Sequence, residues 1–173
     1  MKRSAGFGSA LFAVIATCGV VCDLYSKSTV FARYHETGEF DPLRPLAGGW
    51  ATFQLQTSFN AGALFGLGQG LTWLFAVLSV VAAAGVVYWL VRLEGSRSLW
   101  LTVALALIMA GTLGNLYDRL GLHGEQFPPG HQRSGEKRYA VRDFLLFTFG
   151  RPETPMPQRY HYPIFNFADA FLV

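Results

Sequence analysis

The chain alternates between long uncharged apolar runs and charged connections. Residues 6–22, 64–91 and 98–117 carry no charged side chain. A helix needs about 20 mostly apolar residues to cross the hydrocarbon core of a bilayer. The pattern therefore predicts transmembrane helices at about 7–30, 64–91 and 98–118.

The chain turns apolar again at about residue 165 and ends at Val173. This stretch is the start of a fourth helix that is too short to cross a bilayer, so we expect a truncated fourth span. The prediction is one membrane-embedded domain over residues 1–173, of the all-α polytopic class: a four-helix transmembrane bundle with its fourth helix truncated.

Two long connections, 31–63 and 119–163, separate the predicted helices. Residues 50–60, WATFQLQTSFN, alternate apolar and polar positions in the manner of a strand. Basic residues precede the first helix and separate the second from the third, which places the N-terminus and that turn in the cytoplasm by the positive-inside rule. These residues are Lys2, Arg3, Arg92 and Arg97. Both long connections then face outward.

Composition agrees with a membrane protein. Apolar residues make up 51% of the chain and charged residues 14%, against about 25% charged in typical soluble domains. The net charge is +3, but the basic residues are scattered through the connections without a patch, which argues against nucleic-acid binding. Cys18 and Cys22 lie one helical turn apart in the first apolar run and are expected to be buried packing thiols. The four histidines have no zinc-ligand spacing, so no metal site is predicted.

Five groups of polar residues lie at the outward ends of the apolar runs, and each has a structural interpretation of its own. Asp23 and Lys27, four residues apart, share a helical face and form an interface ion pair in this interpretation. A lone asparagine or aspartate at a helix start serves as a cap. An aspartate beside an arginine forms a salt bridge. The remaining groups are Asn60, the set Asn115, Asp118 and Arg119, then Asp143, and the pair Asn166 and Asp169.

Taken together, these groups favour a catalytic site, because all five map to the same outward surface of the membrane. Asp143 and Asp169 have no basic residue on the same face, since Arg142 points away from Asp143 on either a helix or a strand. Carboxyls near a low-dielectric phase have raised pKa values. Two of them around one water can share a proton, one acting as base and the other as acid. That arrangement is the chemistry of an aspartic protease.

Two other classes of protein stay open from the residues alone. A small transporter could use the outward Asp and Asn residues for ion binding, but it would need polar residues in mid-membrane. Residues 75–87 and 101–109 are almost wholly apolar. An assembly factor would explain the glycine-rich entry to the second helix as close packing. It would not explain two unpaired carboxyls.

Five ordered motifs resemble those of lipoprotein signal peptidase, also called signal peptidase II. They are DLYSK from Asp23, NAGALFG from Asn60, GNLYDR from Gly114, VRDF from Val141 and FNFADA from Phe165. The resemblance implies an aspartic peptidase of the bacterial cytoplasmic (inner) membrane, with four helices, a small β-rich extracytoplasmic cradle and no cofactor. It implies cleavage of prolipoproteins before a diacylglyceryl-modified cysteine, at the membrane lipid surface, by an enzyme that needs only a monomer.

The resemblance also implies residue roles. Asp143 and Asp169 would be the catalytic pair, and the substrate-binding residues would be Asn60, Asn115, Arg119 and Asn166. Supporting residues would be Asp23, Lys27, Gly62, Gly114, Asp118 and Ala168.

The chain departs from the family pattern in several places. Arg142 stands where an apolar residue is usual, and Ala170 where a serine is common. Segments 121–140 and 148–163 are longer than usual. A guanidinium in contact with Asp143 would lower the pKa of that carboxyl and weaken it as a general acid.

Overall fold

The computed structural model describes residues 5–35, 41–62, 68–93 and 98–173. Its helices are α1 (Ala5–Val30), extended by a π-helical turn over Phe31–His35, then α2 (Thr72–Arg92), α3 (Leu99–Arg119) and the short α4 (Phe167–Phe171). Its strands are β1 (Arg44–Leu46), β2 (Ala51–Asn60), β3 (Val141–Phe149) and β4 (Tyr160–His161). Within the described residues, three helices are long and apolar enough to cross a membrane, which confirms that the three predicted helices exist.

Helix α3 is the centre of the helical layer, and α1, α2 and α4 all pack against it. Its inner face is built from small residues, among them Ala106, Ala110, Gly111 and Gly114. Small side chains let helix backbones approach closely in a membrane, where packing rather than water exclusion holds helices together. A Cβ added at Gly19 of α1 would lie 2.6 Å from the Ala110 Cβ, so α1 and α3 are in close contact there.

The four strands form one antiparallel sheet in the order β1-β2-β3-β4. The long pairing of β2 with β3 runs from Ala51 opposite Phe149 to Asn60 opposite Val141, with an irregularity between Leu55 and Ser58. Strand β3 is buried along most of its length. The sheet therefore carries Asn60 and the β3 residues at its Val141 end to the ends of α1 and α3, which β3 contacts directly.

Two expectations need correction. The expected helices and β-rich part are both present, but the chain is mixed α and β rather than all-α, because the sheet is a substantial layer. The second helix begins at Thr72 and not at 64, because Gly68 and Gly70 adopt positive φ angles of 65° and 86° that an α-helix cannot contain. Residues 63–67 lie outside the described ranges, as do Lys2, Arg3 and Arg97.

The expectation for the two cysteines is also wrong. Cys18 and Cys22 are exposed on the outer surface of α1. The stripe of α1 that packs inward is Ala16, Gly19, Asp23 and Lys27, all of which are buried. Because that stripe follows helical periodicity, the cysteines fall on the face that would meet lipid.

Candidate active site

Asp143 lies on β3 and is almost fully buried, with 2% of its surface exposed. Its Oδ1 accepts a hydrogen bond of 2.6 Å from Asn166 Nδ2, and the Asn60 side chain also bonds to the carboxyl. Burial, together with the negative charge of Asp169, raises the pKa of Asp143 to about 7, while the two asparagine bonds and the Lys27 charge oppose the shift. The carboxyl therefore keeps its proton up to about pH 7.

Asp169 lies in the first turn of α4, and the start of that helix fixes its position. Asn166 is the N-cap, and its Oδ1 accepts a 3.0 Å bond from the Asp169 backbone N–H. In return Asp169 Oδ2 accepts a 3.2 Å bond from the Asn166 backbone N–H, which completes a capping box. The local sequence Asn-Phe-Ala-Asp thus explains both why α4 begins here and why Asp169 is held.

Asn115 of α3 links the two carboxyls through its side-chain amide. Its Nδ2 donates to Asp169 Oδ1 at 2.8 Å. Its Oδ1 accepts bonds from Lys27 Nζ at 3.0 Å and from Asn166 Nδ2 at 3.2 Å. Because Asn166 Nδ2 also bonds to Asp143, the chain Asp143–Asn166–Asn115–Asp169 is continuous. The ammonium group of Lys27 fixes which end of the Asn115 amide faces Asp169.

A buried network of four charges lies directly behind these residues. Lys27 Nζ is 2.7 Å from Asp23 and 3.3 Å from Asp118. Arg142 donates to Asp118 through its backbone N–H at 2.9 Å and through Nε and Nη2 at 3.1 and 3.0 Å. Two positive and two negative side chains balance, which makes their burial tolerable. Asp23 Oδ1 further accepts the Ala168 backbone N–H at 2.9 Å, so the network joins α1, α3, β3 and α4.

Arg142 points away from Asp143, as expected, and bonds to Asp118. A salt bridge was also expected between Asp118 and its neighbour Arg119. In the structure the ion-pair partners of Asp118 are Lys27 and Arg142. Asp23 and Lys27 do pair, but both are fully buried rather than placed at an exposed interface. Asn60 ends β2 rather than capping a helix, and its Oδ1 accepts a 2.9 Å bond from Gly62 N–H.

Glycine and alanine are required where the elements meet. A Cβ at Gly114 would collide with the Asp23 carboxylate and lie 3.3 Å from the Ala168 Cβ. Ala168 itself has no exposed surface. A larger residue at Gly114 would therefore push α1 and α4 away from α3 and open the charge network.

Two cavities reach Asp169. One, of about 410 Å³, lies along α2 and α3 and is lined by Asn115, Arg119 and apolar residues such as Phe75 and Ile108. Another, of about 310 Å³, is lined by Asn60, Asp169 and the segment 162–165. The Arg119 guanidinium lies 5.7 Å from the centre of the Phe75 ring, at the polar end of the first cavity. Asp169 is therefore accessible both from the side of the helices and from the side of the sheet.

The structure brings the predicted site residues together at one end of the helices. They are Asp23, Lys27, Asn60, Gly62, Gly114, Asn115, Asp118, Arg119, Asp143, Asn166, Ala168 and Asp169. Sequence reasoning missed Arg142 as a member of the charge network. The sequence signal for this role was the position of Arg142 in the otherwise mostly apolar stretch VRDFLLF. A charged residue buried with such a stretch requires a buried partner.

The fold and the site define a polytopic membrane protein with one buried carboxyl, Asp143, and one half-buried carboxyl, Asp169, where the helices meet a sheet. A family model described as signal peptidase (SPase) II matches residues 15–173. The chain belongs to the signal peptidase II family of aspartic peptidases, and the prediction of such an enzyme is confirmed.

Relatives and solved structures agree with this assignment. The chain is 38% identical over 164 residues to the lipoprotein signal peptidase of Rhodopirellula baltica, covering 95% of this chain and 67% of that one. It is 34% identical over 168 residues to the lipoprotein signal peptidase of Pseudomonas fluorescens, covering 95% and 81%. A bacterial membrane enzyme structure obtained by the in meso method at 2.3 Å resolution has the same fold, with a TM-score of 0.64, 23% identity, and 94% and 80% of the two chains covered.

Proposed function

We propose that this chain removes signal peptides from diacylglyceryl-modified prolipoproteins, cleaving before the lipidated cysteine, with Asp143 and Asp169 as the catalytic pair. The observation that carries the proposal is the continuous hydrogen-bonded link between the two carboxyls through Asn166 and Asn115. The two aspartates come from separate elements, β3 and α4, and are held by amides that do not titrate. Such a pair is suited to share one proton.

The two carboxyls differ in a way that assigns their roles. Asp143 is buried and protonated below about pH 7, so it is the general acid. Asp169 accepts N–H bonds on both oxygens and borders the cavities, so it is the base. A water loses a proton to Asp169 as it attacks the scissile carbonyl carbon, and Asp143 donates its proton to the carbonyl oxygen. When the C–N bond breaks, the leaving amine takes up the proton held by Asp169, and one hydroxyl of the gem-diol returns its proton to Asp143 as the C=O bond of the carboxyl product forms.

The substrate is positioned by the groups that line the two cavities. Asn60 and Arg119 offer donors to peptide carbonyls and to developing negative charge. The cavity along α2 and α3 is apolar beyond Arg119 and accepts the membrane-embedded part of the substrate. The acyl chains then remain in hydrocarbon while the peptide bond lies beside Asp169.

The same geometry supports a proposal for the membrane setting of the site. We infer that α4 is the start of a fourth span, that the sheet is extracytoplasmic and that the N-terminus is cytoplasmic, in the bacterial inner membrane. All proposed catalytic and binding groups come from one chain, so a monomer suffices.

Asp169→Asn tests the proposal, because it keeps the shape of the side chain and removes its titrating proton. Membranes with each variant are mixed with a diacylglyceryl-modified prolipoprotein, and cleavage is followed by the gel mobility shift. We expect the rate to fall roughly 10²–10⁴-fold. The matched control is Glu153→Gln, an exposed acid in the second long connection, which should cleave like the parent. An inserted, folded Asp169→Asn protein that cleaves at the parental rate would show that Asp169 is only a helix cap.

A further inference from the structure

A large cleft on the sheet side of the molecule is used by none of the proposed chemistry. It has a volume of about 690 Å³, within the usual size range of ligand sites. Its walls come from the end of β2, the start of α2 and the segment 127–140, and include Phe59, Phe127, Arg133 and Arg138. Five residues of the segment 121–140 build one wall: Phe127, Arg133, Arg138, Tyr139 and Ala140.

Arg138 is the best-held cation of the cleft. Its guanidinium carbon lies 4.2 Å from the centre of the Phe59 ring and 4.7 Å from that of Phe127. Contact with two rings immobilises the group and leaves its in-plane N–H donors as the binding edge. Its Nε is buried without a hydrogen-bond partner among the described residues. Burial lowers the pKa of Arg138, and the charge of Glu125 only partly offsets this.

The other charges around the cleft do not satisfy Arg138. Arg133 also lies over the Phe127 ring, with its guanidinium carbon 4.7 Å from the ring centre. It is paired with Glu136 at 2.7 Å, and both side chains of this pair are more than half exposed. Glu125 acts on Arg138 only as a nearby charge, and no described carboxylate forms an ion pair with Arg138. A site with a half-buried guanidinium, held between two rings and with an unpaired Nε, is therefore open to an anionic ligand.

The cleft lies at the level of the membrane boundary. One wall includes His35, where the first span ends, and another includes Thr72 and Trp73, where the second begins. Trp73 is 67% exposed, as is typical of tryptophans that anchor helices at headgroup level. Phe59 and Asn60 point to opposite faces of β2, and neither Asp143 nor Asp169 lines the cleft.

We propose that this cleft binds the anionic headgroup of a phospholipid, with the phosphodiester oxygens on the guanidinium edge of Arg138 and Arg133 at the rim. The planar donor fork of arginine matches two phosphate oxygens, and anionic lipids concentrate at this depth. The site is separate from the catalytic pair, so binding is measurable whether or not the proposed cleavage occurs.

Native mass spectrometry of the full chain in a neutral detergent tests the proposal. The protein is titrated with short-chain phosphatidylglycerol, with the matching phosphatidylcholine, and with inorganic phosphate as a competitor. The variants are Arg138→Gln, Arg138→Lys and the control Arg151→Gln. Arg151 is exposed and follows the β3 residues that pair with the opposite end of β2, roughly 25–30 Å along the strand from Phe59.

We expect phosphatidylglycerol to bind the parent and Arg151→Gln alike, and Arg138→Gln at least about tenfold more weakly. Arg138→Lys should recover only part of the loss, because lysine keeps the charge without the fork. A thermal unfolding curve for each variant separates loss of the site from loss of the fold. Parental affinity in folded Arg138→Gln, equal binding of phosphatidylcholine, or complete competition by equimolar phosphate would each overturn the proposal.

Discussion

The raised pKa of Asp143 makes the stability of the folded enzyme depend on pH in a predictable direction. The ordinary pKa of an aspartate is 3.8 and that of Asp143 is about 7. Between these values the folded state keeps a proton that the unfolded state has released, so stability falls as pH rises through this window. A difference of about three pKa units corresponds to on the order of 4 kcal/mol above pH 7.

Asp143→Asn removes the titrating group. Substitutions in a protein core usually destabilise the fold, but this one should stabilise it at alkaline pH. At about pH 8 the variant should be more stable than the parent by up to a few kcal/mol, and at about pH 4 the advantage should vanish. Thermal unfolding in a neutral detergent, followed by tryptophan fluorescence, measures both. The parent should also lose peptidase activity with an alkaline midpoint near 7, as Asp143 gives up its proton.

Two further variants check the cause of the shift. Asp169→Asn removes the negative charge that helps to raise the pKa of Asp143. The pH range over which the protein loses stability should therefore end at a lower pH than in the parent. Glu153→Gln changes an exposed acid and should leave the window in place. If Asp143→Asn is less stable than the parent by the same amount at about pH 4 and at about pH 8, Asp143 is ionised in the folded parent over this whole range. The assignment of Asp143 as general acid would then be wrong.

Two other substitutions test the scaffold around the pair, by the same unfolding measurement. Lys27→Met should cost roughly 3–5 kcal/mol, because it leaves Asp23 and Asp118 buried with only the Arg142 charge to balance them; parental stability would mean that the network is hydrated. Gly114→Ala should cost about 1–3 kcal/mol, because its Cβ meets the Asp23 carboxylate. Gly85→Ala, where the added Cβ meets nothing within 4 Å, should be neutral or slightly stabilising.

The sequence predicts the helices well because membrane spans are governed by a one-dimensional rule. A helix that crosses a bilayer must be long and almost uncharged, and the runs at 64–91 and 98–117 meet both conditions. The start of the second helix was misplaced, since apolar character continues through Gly68 and Gly70 while their backbone angles do not. Strand β3 was not assigned from sequence because it is buried on both faces. Its residues therefore lack the alternation that marked β2.

The members of the candidate site could be named from sequence, but their bonding could not. Placing the polar groups at one end of the spans requires only helix lengths and orientation. The pairing of Arg142 with Asp118 and the link through Asn115 join residues far apart in sequence. Local patterns favoured Arg119 as the partner of Asp118, because it is adjacent. In the structure the sheet places Arg142 against α3, so Arg142 pairs with Asp118.

The pairing of Asp23 with Lys27 inside a single helix has a consequence for biogenesis. Because the two side chains are one turn apart, the first span carries its own counter-ion and can enter the bilayer as a nearly neutral unit. The third span carries Asp118, whose two cationic partners are Lys27 of the first span and Arg142, which is synthesised 24 residues later in β3. Lys27 alone does not balance both Asp23 and Asp118. We therefore expect the charges of α1 and α3 to balance only after β3 has packed against the helices, so that assembly depends on the order in which charged residues meet as well as on hydrophobicity.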